Sequence, residues 1–275
     1  MDRKRFFDAL RRRESGLFGT SLSAAQVQGT DALLDGFERH DVRNPHHAAN
    51  IMAQVYRETG GYMRGIKETV MPYHKDKNPS DATVIARLDN AWKKGVLGKV
   101  KTPYWRDGAF GRGPIQLTHW ENYDKFGRRL GIPLRKNPSL ALDLKHGADI
   151  AIVGMVEGMF RNRKLSGYVF PRDLDNPPDT NPRRIVNGKD GSDAEVAKSH
   201  RAFFKALTEA GFGTEKPVQP RQPDPAPIPV PSPKPSPVPK PKGKTGIIAA
   251  VVVALAAGWA WMASLPCSLF NVWCG

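Results

Sequence analysis

Apolar side chains recur from Phe6 to Leu207 at the three-to-four spacing of buried helix faces. Phe6, Phe7, Leu10 and Leu17 predict an opening helix, and Ala24, Val27, Leu33, Leu34 and Phe37 a second. Ala48, Ile51, Met52 and Val55 predict a helix over 45–59, with Asn44 as its N-cap, Pro45 in its first turn and Gly60-Gly61 as its stop. Tyr123 to Leu130, Ala148 to Phe160 and Ala194 to Leu207 predict three more. No run of alternating strand positions competes with these. Residues 1–213 therefore read as one mainly α-helical, loop-rich domain.

The pattern changes abruptly beyond Gly213. From Pro223 to Pro241 every second residue is proline, which removes backbone donors and fixes φ, so 214–245 reads as a polyproline II linker. At ~3.1 Å per residue such a spacer reaches roughly 80 Å. Residues 246–265, GIIAAVVVALAAGWAWMASL, carry no charge and as a helix would span ~30 Å, the thickness of a bilayer's hydrocarbon core. Trp259, Trp261 and Trp273 fall toward its C-terminal side, as in an interfacial belt. One C-terminal transmembrane helix is expected there, followed by a short tail, 266–275, with both cysteines. Lys234, Lys240, Lys242 and Lys244 precede the helix, which by the positive-inside rule leaves the large domain on the cytoplasmic side of the host inner membrane. Cys267 and Cys274 either pair with each other or remain inert thiols.

Composition sharpens the division. Of 42 basic and 27 acidic residues, residues 1–213 hold 36 and 25, a surplus of +11 within the chain's +15. That surplus fits a polyanion: nucleic acid, anionic lipid or an acidic cell-wall polymer. The one basic cluster, Arg3, Lys4, Arg5, Arg11, Arg12 and Arg13, reads as the solvated face of the first helix rather than a reading head, so no nucleic-acid partner is expected. With no cysteine before Cys267, a disulfide framework or cysteine zinc site in the large domain is excluded. The charged N-terminus carries no cleavable secretory signal.

Candidate chemistry begins at the end of the 45–59 helix. Glu58 lies seven residues after Ile51 and three after Val55, at the edge of the apolar stripe and at the negative end of the helix dipole, the setting a general acid needs. Glu68 follows ten residues later, and a turn at Gly60-Gly61 could bring it to face Glu58. Paired carboxylates suit glycoside hydrolysis, one protonating the leaving oxygen and the other activating water. Asp76, Asp107 and Glu121 could serve in its place. A third segment, Gly111 to Tyr123, combines a tight glycine-proline loop with Gln116, Thr118 and Asn122 beside Trp105, Trp120 and Tyr123. Polar groups and ring faces together suit sugars, and equally suit a turn with a core aromatic.

The runs RETGGYMRGIKET, FGRGPIQLTHWENYDKFGRRLGI, NPSLALD and RRIVNG, in this order, resemble family 19 glycoside hydrolases over residues 44–207. The resemblance is strongest to the phage- and prophage-encoded endolysins that cut peptidoglycan and are similar to plant-type chitinases. It implies a lysozyme-like α-helical fold and an inverting mechanism on β-1,4 linkages that uses no metal and no cofactor. Position by position, it implies Glu58 as general acid, Glu68 as the group that activates water, and Gln116, Thr118 and Asn122 as holders of substrate or water. Asn187 matches the family's cleft asparagine, and Tyr123 is expected at the substrate beside the polar trio. Two positions depart: Arg57 stands where histidine is common, and His200 stands where a cleft arginine is frequent.

The expected function is thus a membrane-tethered peptidoglycan hydrolase, its partners being peptidoglycan strands, the bilayer and a holin-like lysis protein that would release it to the wall. The alternatives are a chitinase and, in a different class, a non-catalytic wall-binding module.

Overall fold

The computed structural model describes residues 1–98 and 100–214. The chain divides into two units, Met1–Pro220 and Arg221–Gly275. The expected linker beyond 214, the helix at 246–265 and the 266–275 tail lie outside the described residues. Among the described residues no helix is long and apolar enough to cross a membrane.

The large unit is mainly α. Its helices are α1 (Arg3–Leu10), α2 (Ala24–Arg39), α3 (Pro45–Thr59), α4 (Asp81–Lys93), α5 (Trp120–Leu130), α6 (Leu144–Glu157) and α7 (Asp193–Glu209). Helix α3 forms where the pattern predicts. The Asn44 side chain accepts from the His46 and His47 backbone N–H groups, Pro45 occupies the first turn, and Gly60 ends the helix in the left-handed conformation at φ 59°. Ala48, Ala49, Ile51, Met52, Ala53 and Val55 are all fully buried, which makes α3 the core helix, packed against α7, α6 and α2.

Three expectations shift. The opening helix stops at Leu10; Leu17 lies beyond a 3-10 turn at Arg13–Ser15 and a left-handed Gly16, and packs on the core from there. Helix α6 starts four residues earlier than its apolar stripe because Asp143 caps the Lys145 and His146 N–H groups, and it ends at Glu157 before a left-handed Gly158. Helix α4 was not predicted. Ser80 caps it, and Val84 and Leu88 bury against Trp105 and Phe110 in a small separate cluster. On the basic N-terminal face Lys4, Arg5, Arg12 and Arg13 are exposed, while Arg3 ties α1 to α2 through Asp31 (2.6 Å) and Asp35 (2.5 Å).

Two short strands, β1 (Ile66–Lys67) and β2 (Arg112–Gly113), pair antiparallel with Ile66 opposite Gly113 and Lys67 opposite Arg112. Asp81, the first residue of α4, clamps this pair through Lys67 (2.7 Å) and the buried Arg112 (2.9 Å). Burial works to raise the Asp81 carboxyl, but its bonds to Lys67 and Arg112 hold it below its ordinary value. The unpredicted helix therefore anchors the strand pair from which the candidate loop emerges.

Candidate active site

Helix α3 delivers Glu58 at its last full turn. The turn beyond is locked by Thr59, fully buried, whose hydroxyl donates to the Val55 carbonyl (2.7 Å) and accepts from the Met63 N–H (2.9 Å). Gly61, at φ 75°, lies where an added Cβ would meet the Tyr56 ring at 3.2 Å. The reversal therefore needs glycine on both counts of conformation and space.

Glu58 is largely shielded, with a side chain 14% exposed, and its Oε1 accepts from Arg183 Nη2 at 2.5 Å. Arg183 comes from the 3-10 turn Pro182–Ile185, where the Asn181 side chain accepts from its backbone N–H. The buried guanidinium also reaches Asp190 Oδ2 (2.6 Å) and Gln54 Oε1 (2.7 Å). Burial alone would raise Asp190, but Arg183 and the Ser192 hydroxyl and N–H overcome it and hold that carboxyl far below the usual range. Asn187 joins the same cluster by donating to Asp190 Oδ2 (3.2 Å). Oε2 of Glu58 accepts no hydrogen bond among the described residues.

Glu68 is fixed differently. Its backbone N–H continues the strand pairing to the Gly111 carbonyl (2.7 Å), and the Gly111 N–H returns to Glu68 Oε2 (2.8 Å). Tyr104, in the 3-10 turn Tyr104–Asp107, donates its hydroxyl to Glu68 Oε1 at 2.6 Å. Burial first, and then the Glu68 charge, push the Tyr104 phenol well above its ordinary value, so it remains a donor. Each carboxylate oxygen keeps a second lone pair able to accept from a water.

The loop between β2 and α5 supports this arrangement from below. Gln116 adopts φ 53°, and its amide donates to the carbonyls of Ile66 (2.9 Å) and Gly113 (3.0 Å). A Cβ on Gly111 would come within 2.8 Å of Gln116 Oε1, so glycine there is a matter of space. Thr118 donates to the Gln116 carbonyl (2.8 Å), and Asn122 to the Thr118 carbonyl (2.7 Å). Gln116 and Thr118 have spent their donors on backbone, so the loop offers a ligand the oxygens of Gln116, Thr118 and Asn122 and the second amide hydrogen of Asn122. That is a mainly acceptor set, suited to hydroxyl groups and water.

The two halves meet through Lys77. Its carbonyl accepts from the Lys67 N–H (2.9 Å), next to Glu68, and its ammonium donates to the Thr59 carbonyl (3.3 Å), next to Glu58.

Tyr123, expected at the substrate, is fully buried. Its hydroxyl donates to the Phe110 carbonyl (2.9 Å), accepts from Arg112 (3.2 Å), and is pushed up to about 12, chiefly by burial. It and Arg112 brace the loop rather than face a ligand. The two departures from the family pattern also resolve structurally. Arg57 turns away to pair with Glu195 (3.2 Å) on half-exposed surface, a contact worth at most about 1 kcal/mol. The cation at Glu58 is instead the buried Arg183, which Asp190 also neutralises. His200 is buried, its ring nearly parallel to that of Phe170 at 5.0 Å between centroids, with Nε2 3.1 Å from His46 Nδ1.

Sequence reasoning missed Arg183, Asp190, Gln54 and Tyr104. A signal existed for the first: an arginine inside the RRIVNG run, directly after a capping Asn181-Pro182 pair. Among the described residues no group of three or more His, Cys, Asp and Glu could hold a metal ion.

No family model and no curated protein matches the chain. Among solved structures, chitinase C from Streptomyces griseus HUT6037 is similar at 20% identity over 76% of each chain, with a TM-score of 0.42. A likeness this distant leaves the site to be read from its own residues.

Proposed function

We propose that the chain is a glycoside hydrolase of the endolysin type that cuts β-1,4 bonds of peptidoglycan by inversion. The observation that carries this reading is the pair of carboxylates on either side of the Gly60-Gly61 turn, each fixed by its own set of donors: Glu58 by Arg183, Glu68 by Tyr104 and the Gly111 N–H. The resemblance of the GRGPIQLT segment to family 19 enzymes supports it.

In this mechanism Glu58 carries its proton on Oε2, the oxygen Arg183 leaves unoccupied, and passes it to the glycosidic oxygen. The carboxylate left behind faces the guanidinium that stabilises it. Glu68 accepts a proton from a water on the opposite face of the sugar, and that water attacks the anomeric carbon as the bond breaks. The free oxygens of Gln116, Thr118 and Asn122 orient water and sugar hydroxyls. Asn187 acts at the Glu58 side through Asp190.

Residues 246–265 anchor the protein in the inner membrane, the proline-rich segment spaces the hydrolase from it, and the domain stays cytoplasmic until a holin-like partner opens the way to the wall.

Purified full-length chain in detergent is expected to release reducing ends from purified peptidoglycan. Glu58→Gln and Glu68→Gln are each expected to slow release by about 10²- to 10⁴-fold. Undiminished release by either variant contradicts the mechanism. Turnover of chitin oligosaccharides without turnover of peptidoglycan reassigns the chain as a chitinase, and binding without turnover of either makes it a wall-binding module.

A further inference from the structure

His46, Asn50, Gln54 and Glu58 recur at every fourth residue of α3 and so form one row along the helix. Asn50 and Gln54 are fully buried amid the apolar core, an expensive place for amides unless every polar atom finds a partner. The row finds its partners in a single continuous chain. Arg183 Nη1 donates to Gln54 Oε1 (2.7 Å), and Gln54 Nε2 donates to Asn50 Oδ1 (3.4 Å) and to the Pro182 carbonyl (3.2 Å). Asn50 Nδ2 faces His200 Nδ1 (3.5 Å), and His200 Nε2 faces His46 Nδ1 (3.1 Å).

The direction of this chain is determined by its first member. A guanidinium only donates, so the atom facing it must be the amide oxygen of Gln54. That choice sets the Gln54 amide, hence the Asn50 amide, hence the His200 tautomer, with Nδ1 accepting and Nε2–H donating to His46. His200 is neutral, as the tautomer requires: burial, then His46, Arg201 and His47, push it down to about 3. His46 closes the row where it stacks on Phe204, ring centroids 3.9 Å apart.

Arg183 has two carboxylates to choose between, Glu58 and Asp190. With only those two acceptors the guanidinium could pivot toward Asp190 and leave Glu58 unsupported. Gln54 supplies a third, neutral acceptor on Nη1 that fixes the plane. We propose that Gln54, held in one orientation by Asn50, His200 and His46, is a positioning residue that keeps Arg183 on Glu58 Oε1 and so leaves Oε2 to the substrate. This rests on Glu58 being the general acid.

Full-length chain in detergent, assayed on purified peptidoglycan, tests the inference. Gln54→Met keeps the side-chain length and removes the acceptor. It is expected to lower kcat about tenfold with KM changed less than about twofold, and to move a limb of the pH–kcat profile by about half a unit or more. Asp149→Asn, which weakens the contacts of buried Asp149 with Arg39, His40 and Lys145 outside the row, is expected to lower Tm with the profile in place. Should Gln54→Met not fold, His46→Phe decides: it keeps the stack, removes the last acceptor, and is expected to move the same limb by a smaller amount. Wild-type kcat and pH profile in these row variants, with only Tm lowered, overturn the inference. If Glu58→Gln is inactive in the same assay, that outcome leaves the hydrolase reading standing; if Glu58→Gln is active, both fall.

Discussion

The bond from Tyr104 to Glu68 shows most simply how single residues make this site. A carboxylate expected to take a proton from water must be held in place, and a buried phenol pushed well above its ordinary value is a donor that holds it. Tyr104→Phe removes one hydrogen bond to a charged acceptor, worth about 1.5–3 kcal/mol, and leaves Glu68 with the Gly111 N–H alone. The expected outcome is a fall in kcat on peptidoglycan of about tenfold or more with little change in KM, measured by steady-state reducing-end release. An unchanged kcat places the water-activating role elsewhere. Tyr123 teaches the converse. It follows the polar trio Gln116, Thr118 and Asn122, which suggests a ligand contact, yet the ring packs into a cluster with Leu117, Phe126, Leu134 and Ile150, where its hydroxyl bridges Arg112 and the Phe110 carbonyl. Sequence lists the residue types at a site, but which of them turn inward depends on partners many residues away.

At the level of elements, what was legible depended on where the signals were local. Helix α3 was readable to both ends because its cap, its first-turn proline, its stripe and its glycine stop are adjacent in the chain. Helix α4 was missed although its apolar residues have helical spacing, since it serves a satellite cluster rather than the main core. The Glu58 and Glu68 positions were legible, whereas the Arg183 contact joins residues 125 apart and leaves no mark at Glu58 itself. The α3–α7 contact also carries a pH dependence. His200 binds a proton near 6.5 when unfolded and only near 3 when folded, so below about pH 6.5 the unfolded state takes up the extra proton. Stability is therefore expected to be complete above that pH and to fall with acidification toward pH 3. The slope from this one histidine approaches about 1.4 kcal/mol per pH unit. Denaturant unfolding between pH 7 and pH 4.5 measures it together with the smaller share of His46 and His47, which burial also holds low, in a window above the titration of Asp190, Asp149 and Asp81. His200→Phe should flatten the slope; an identical slope in that variant assigns the loss to other groups.

For the whole molecule, the +11 surplus of residues 1–213 is carried by a surface whose ion pairs, such as Arg12 with Glu209 and Lys205 with Glu14, contribute little each to stability. The surplus is better suited to attraction, and an anionic envelope polymer is the partner consistent with the proposed substrate. Full-length protein is expected in the membrane fraction and a chain ending at residue 245 in the soluble fraction, read by fractionation and immunoblot; equal partition of the two contradicts an anchor at 246–265. The proposed chemistry is a one-step displacement run by Glu58 and Glu68. Time-resolved proton NMR of the wild-type product from a defined β-1,4-linked glycan tests it most directly. The new reducing end is expected to appear first as the α anomer and to equilibrate later, with no product from Glu58→Gln on the same timescale. First appearance of the β anomer, or product formation by Glu58→Gln at the wild-type rate, contradicts it.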